Sequence, residues 1–123
     1  MTVLSFQPSQ RLLSKAEFDQ VYQHGIRAAD PLLTLHAYHS SQRARLGMSV
    51  STKNAGSSVR RNQLRRWIRE DFRLRQTSLP PADWVVTVRA LAKNATHPEL
   101  SQVLERLYHG LSQRLVTAAG AHS

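Results

Sequence analysis

"SSVRRNQLRRWIREDFRLRQ", residues 57–76, decides how the rest of the chain is read. Seven arginines fall between Arg60 and Arg75, with apolar residues set among them at regular intervals. At about 100° per residue, Leu64, Trp67, Ile68, Phe72 and Leu74 share one arc of a helix. Arg61, Asn62, Arg65, Arg66, Arg69 and Arg73 fall on the opposite arc. The apolar arc is expected to pack on a sheet, with Trp67 and Ile68 as its anchors. The cationic arc is then displayed by a rigid element, and fixed spacings suit a ladder of phosphates better than a mobile tail does. Glu70 and Asp71 lie off that arc, and Glu70 is spaced to pair with Arg66 or Arg73. A solvated amphipathic helix would also carry single arginines; this many converging on one arc favour nucleic acid.

The charge of the whole chain agrees. Its 123 residues hold 17 Lys and Arg against 8 Asp and Glu, a net charge of +9 with a pI near 11.3. A domain so basic attracts polyanions. Arginine outnumbers lysine 14 to 3. The planar guanidinium pairs bidentately with phosphate and stacks on bases. A genome rich in G and C would account for that ratio, but not for the net charge. The length fits one compact domain over residues 1–123, with 1–10 and 117–123 expected to be loose. The chain has no cysteine, which excludes disulfides and thiolate zinc sites. No apolar run has the length of a membrane span or a signal peptide, so a cytoplasmic protein is expected.

Outward from the arginine helix, the elements follow from local chemistry. "SKAEFDQVYQHG" (14–25) predicts a helix capped by Ser14 and Glu17 and stopped by Gly25. Phe18, Val21 and Tyr22 share one of its faces. "PLLTLHAYHS" (31–40) and "ARLGMSVST" (44–52) predict strands, and "SSQR" between them suits a hairpin turn. "LPPAD" (79–83) breaks the arginine helix before "WVVTVRA" (84–90), the clearest strand in the chain. "THPELSQVLERLYHGLSQRLV" (96–116) predicts a last amphipathic helix, capped by Thr96. Leu100, Val103, Leu104, Leu107, Leu111 and Leu115 recur along it with helical period. Helix, two or three strands, helix, strand, helix is an α+β sandwich with helices packed on a small sheet.

"VRRNQLRRWIREDFR" (59–73) resembles the signature of the bacterial ribonuclease P protein component. Arg61 and Asn62 match its first two positions, Arg65 and Arg66 its basic pair. Ile68, Arg69, Glu70, Phe72 and Arg73 follow in register. Gln63 stands where the family usually has arginine. "RLLSKAEFDQVYQHG" is similar to the family's first helix, with aromatics at Phe18 and Tyr22. "RLGMSVSTKNAG" is similar to its Arg-Leu-Gly strand and Lys-Lys turn, with Thr52 replacing one lysine and Lys53 keeping the other. "ADWVVTVRA" fits its last strand. The resemblance covers about residues 11–116.

The resemblance implies an α-β-β-β-α-β-α fold with a left-handed βαβ crossover. It also implies a protein subunit of a ribonucleoprotein endonuclease, in which the RNA performs the hydrolysis with magnesium. Partners would be the catalytic RNA and precursor tRNA, with no DNA and no membrane. Arg61, Asn62, Arg65, Arg66, Arg69, Arg73 and Lys53 are the candidates for the catalytic RNA. Phe18 and Tyr22, with Leu33 and Leu35 as floor, are the candidates for a cleft that holds the single-stranded 5′ leader. Aromatics beside a cationic groove suit a single strand. Phe18 and Tyr22 at i, i+4 would equally suit a core, and Trp67 and Trp84 are assigned to it.

No catalytic or metal-binding residue is expected on the protein. A free-standing nuclease needs acids, or histidine with an acid, converging on metal or phosphate. Here the eight carboxylates are scattered and the six histidines lack ligand spacing. "KNAGSSVRRN" (53–62) lacks the phosphate-loop pattern. It reads equally as a connector or as a set of backbone N–H groups at a helix start, where anions bind. An RNA-binding module without catalytic association, such as a ribosomal or RNA-chaperone protein, remains the alternative. A DNA-binding helix motif would want a short partner helix and a tight turn before the basic helix.

Overall fold

The computed structural model describes residues 14–39 and 43–121, with side chains through residue 117. The elements run α1 (Lys15–His24), β1 (Ile26–Ala29), β2 (Leu33–Tyr38), β3 (Arg45–Ser49), α2 (Thr52–Ala55), α3 (Ser58–Arg75), β4 (Asp83–Val88), a 3-10 turn (Ala90–Asn94) and α4 (His97–Ala121). This is the expected α-β-β-β-α-β-α order with a one-turn helix and a 3-10 turn added. The stretch 1–10, expected to be loose, lies outside the described residues. Of the stretch 117–123, also expected to be loose, the α4 backbone is helical to Ala121, and residues 122 and 123 lie outside the described residues.

Local chemistry sets the helix ends. Ser14 Oγ accepts from the Glu17 N–H at 3.1 Å and Glu17 Oε1 accepts from the Ser14 N–H at 3.2 Å. That reciprocal cap starts α1 as predicted. Gly25 ends it, donating its N–H to Val21 O at 2.9 Å. The chain then turns so tightly into β1 that a Cβ on Gly25 would sit 2.6 Å from Ala37 O. Thr96 and Glu99 form the same reciprocal cap on α4, at 2.8 and 3.3 Å. The first half of "KNAGSS" is in α2, capped by Ser51, whose side chain accepts from the Asn54 N–H. Gly56, at φ 94°, makes the left-handed turn between α2 and α3.

The sheet has the order β1-β2-β4-β3. β1 and β2 form the antiparallel hairpin, β2 pairs antiparallel with β4, and β3 pairs parallel with β4. The hairpin expected between 31–40 and 44–52 is therefore corrected, since β4 lies between those strands. The physical reason is burial. β4 is apolar on successive residues, with Trp84, Val85, Val86 and Val88 buried, and such a strand belongs at the centre of a sheet. α3 is the crossover that joins the parallel pair β3 and β4.

Alternation divides the sheet into two unequal faces. Leu33, Leu35 and Ala37 of β2 point to one side with Leu46, Trp84, Val86 and Val88. There they meet Leu64, Ile68 and Phe72 of α3, and Leu100, Val103, Leu104, Leu107, Tyr108 and Leu111 of α4. Among the described residues the other face carries only α1. Its fully buried pair is Val21 and Val85, with Phe18 and Tyr38 packed alongside.

Candidate nucleic-acid interface

Ser57 starts the arginine helix by accepting from the Arg60 N–H at 3.1 Å. The buried arc of α3 is Leu64, Ile68 and Phe72. It is centred nearer Ile68 than the apolar pattern predicts. Trp67 is displaced to the flank, half-buried, and Leu74 is a correction: it is 58% exposed. The cause lies in what the flanks touch. The Trp67 ring stacks on His97 at 4.8 Å between centroids, and the Arg60 guanidinium stands 5.0 Å from its centroid. Arg60 also donates to the carbonyls of Ala92, Lys93 and Ala95 and to Gln63 Oε1. Gln63, which departs from the family pattern, thus serves as an acceptor for Arg60.

The other arginines divide by role. Arg75 holds Asp71 at 2.7 Å on the side that faces α4. Arg73 pairs with Glu70 and holds the Glu70 carboxyl below its ordinary range by hydrogen bonding. Arg61, half-buried, donates through Nε to Val50 O at 2.9 Å. Asn62 and Arg66 are exposed on the outer arc, and Arg65 and Arg69 are half-exposed along the flank away from α4. Lys53 is exposed on α2, which Asn54 pins to the end of β4 through a 3.0 Å bond from Nδ2 to Val88 O. The cationic candidates therefore share one rigid unit.

The second surface lies on the other face of the sheet. Phe18 and Tyr22 stand one turn apart on α1, their ring centroids 6.3 Å apart. Phe18 is half-buried against Val21 and Val85, whereas Tyr22 is 40% exposed. Tyr22 meets the His36 ring edge-on at 4.9 Å, and its hydroxyl hydrogen-bonds Thr87 Oγ1 at 3.1 Å. Burial pushes the His36 imidazole pKa down, and the nearby Arg27 adds to the effect. His36 Nδ1 is buried without a hydrogen-bond partner.

Leu33 and Leu35 are corrected here. Both are fully buried in the core under α3 and α4, on the face opposite Phe18 and Tyr22. A strand sends successive side chains to opposite faces, so the floor beneath α1 is Thr34, His36 and Tyr38 of β2, with Thr87 of β4. The polar residues alternating through "LTLHAY" carried that signal. The role of Arg60 had no such signal, because the carbonyls it reaches are far along the chain.

Among the described residues no group of three or more His, Cys, Asp or Glu is placed to hold a metal. The carboxylates of Asp30, Asp71, Asp83, Glu17 and Glu70 each contact an arginine instead, so they do not fit a magnesium site. No helix among the described residues is long and apolar enough to cross a membrane.

A family model described as Ribonuclease P matches residues 6–112. A ribonuclease P protein component of Cronobacter sakazakii is 39% identical over 109 residues, covering 88% of this chain and 92% of that protein. One from Photobacterium profundum is 36% identical over 114 residues, covering 92% and 97%. Among solved structures, the Staphylococcus aureus RNase P protein superposes with a TM-score of 0.76 at 30% identity, covering 80% of this chain and 91% of that one. The Thermotoga maritima RNase P protein does so at 0.70 and 25%, covering 80% and 96%.

Proposed function

The chain belongs to the ribonuclease P protein family, and from that premise we propose that its two surfaces divide the RNA between them. It is the RNA-associated protein subunit of an endoribonuclease that processes the 5′ ends of tRNA. The proposal assigns the α3 surface, with Arg61, Asn62, Arg65, Arg66, Arg69, Arg73 and Lys53, to the catalytic RNA. It assigns Phe18 and Tyr22, over Thr34, His36 and Thr87, to the 5′ leader of precursor tRNA in the cytoplasm.

The observation that carries this reading is the pair of unlike surfaces on one small sheet. A helix with arginines at fixed spacings fits phosphates that are themselves at fixed spacings, as in folded RNA. A sheet face half covered by one helix, with an exposed tyrosine, fits unstacked bases, because every base has a face on which an aromatic ring can lie. The protein supplies binding and orientation; holding a substrate in register converts part of the barrier into binding energy. Magnesium is assigned to the RNA, since five of the eight carboxylates here contact arginines. The relatives favour this reading over a ribosomal or RNA-chaperone module.

Reconstitution tests it. The chain alone is expected to leave precursor tRNA intact at any magnesium concentration. Added to its cognate catalytic RNA at low magnesium, it is expected to restore cleavage and to tighten binding of precursors with longer leaders. Cleavage by RNA-free protein that disappears in a Glu70→Gln or Asp71→Asn variant would overturn the division of labour.

A further inference from the structure

α1 has little hydrophobic hold on the sheet. Among its residues only Val21 is fully buried. Its C-terminal end is set by the tight turn at Gly25, where the chain passes against Ala37 O. Its N-terminal end is held by charge. Arg45 of β3 forks onto Asp83 of β4, with Nε to Oδ1 at 2.8 Å and Nη2 to Oδ2 at 2.9 Å. Its remaining nitrogen, Nη1, reaches Glu17 Oε2 on α1 at 2.7 Å. The Asp83 side chain is 4% exposed, Arg45 25% and Glu17 32%, so the network runs from the sheet outward to the helix. Bidentate pairing fixes the guanidinium plane and hence the direction in which Nη1 points. Glu17 meanwhile uses Oε1 for the cap on Ser14. One carboxylate therefore starts the helix and ties it to the sheet.

We propose that Glu17 is a positioning residue for the leader: through Arg45 and Asp83 it sets the height of α1 above the sheet, and with it the width of the cleft beneath Phe18 and Tyr22. This rests on the assignment of the cleft to the leader. Phe18 follows Glu17 directly, whereas Tyr22 lies one turn nearer the Gly25 anchor and has its own bond to Thr87. Release of Glu17 frees the Phe18 end first.

The test uses the holoenzyme reconstituted with its catalytic RNA, and dissociation constants for precursor tRNA with a one-nucleotide leader and with a long one. Glu17→Ala removes both the cap and the tie. Ser14→Ala weakens the cap and keeps the tie. Glu17→Gln removes the charge and keeps one acceptor oxygen, enough for the cap or the tie but not for both. Glu17→Ala is expected to weaken long-leader binding about two- to fivefold, the effect of an ion pair of this exposure. The one-nucleotide precursor is expected to bind as before. Ser14→Ala is expected to leave both constants unchanged, and Glu17→Gln to fall between wild type and Glu17→Ala for the long leader. Equal losses in Glu17→Ala and Ser14→Ala, losses independent of leader length, or no loss at all would overturn the proposal. Wild-type holoenzyme that binds both precursors equally would overturn the cleft assignment itself, and this proposal with it; that result is visible before any variant is compared.

Discussion

The two faces of the sheet are built to opposite ends. One is sealed by α3 and α4, and its strand residues Leu33, Leu35, Trp84 and Val86 have no exposed surface. Among the described residues the other is roofed by one ten-residue helix, which leaves Tyr22 40% exposed above His36 and Thr87. The first face supplies the burial from which a domain of this size draws its stability. The second is left half open, which suits a ligand that must enter and leave. Adjacent residues of one strand can thus answer to different demands. Substitutions at Leu35 and His36 should show it, although they are neighbours in the chain.

Leu35→Ala should have the largest effect. Truncating a fully buried leucine costs about 2–5 kcal/mol. Denaturant unfolding of the free protein should report that loss, and binding should fall for every RNA alike. His36→Ala should cost about 1 kcal/mol or less. Equal losses at the two positions would break the division into faces.

Tyr22→Ala comes next. The exposed ring should matter little to the free fold. Its loss should weaken binding by about 1–3 kcal/mol for each base that stacks on it, and only for precursors whose leader reaches the cleft. Phe18→Ala should show the same dependence with an added loss of stability, because Phe18 also packs against Val21 and Val85. A large fall in melting temperature for Tyr22→Ala, with no dependence on leader length, would place that ring with the core.

These contrasts follow what was legible in the residues. The caps at Ser14 and Glu17, the stop at Gly25 and the period of α3 are local signals, and they predicted the helices. β1 comes from the family resemblance alone, because four residues, Ile26–Ala29, give alternation no length in which to appear. The pairing of β4 between β2 and β3 was misread for another reason. Sequence neighbours favour a hairpin, but the decisive quantity is that β4 is buried on both sides. Leu33 and Leu35 are candidates for the cleft floor because they lie on the strand that faces α1. The thicker helical layer takes the apolar face, so the cleft receives the polar one. The seven arginines of α3 looked alike in sequence. Spacing announced the Glu70–Arg73 pair, but the roles of Arg60 and Arg61 depend on carbonyls of the 3-10 turn and of Val50, which no local pattern reveals.

Two arginines of that helix sharpen the comparison between fold and surface. Arg60 donates to three backbone carbonyls beyond β4 and stands against Trp67. Arg60→Ala should lower stability by about 1.5–3 kcal/mol, the range for hydrogen bonds to a charged group. Arg66 is exposed on the outer arc. Arg66→Ala should leave the melt unchanged and reduce the log-log salt slope of RNA binding by about 0.7 to 0.9 if it makes one phosphate contact. The reverse outcome, with Arg60 changing the salt slope and Arg66 the melt, would invert the roles assigned here.

The smallest expected effect concerns pH. His36 lies under Tyr22, beside Thr87 of β4 and close to the cationic Arg27 of β1. Burial, with Arg27 adding to it, lowers its pKa in the folded chain below the ordinary value of 6.5. The unfolded chain therefore takes up the proton first as pH falls. Stability associated with neutral His36 is complete above the unfolded value and is lost as pH drops from there through the lowered folded value. Wild type and His36→Gln, unfolded in denaturant at a series of pH values, should draw apart in that window, with wild type losing more stability on the acid side. Parallel curves would mean that His36 protonates as readily in the fold as out of it. The imidazole would then lie in open solvent, and the face under α1 would be wider than the Tyr22 contact makes it.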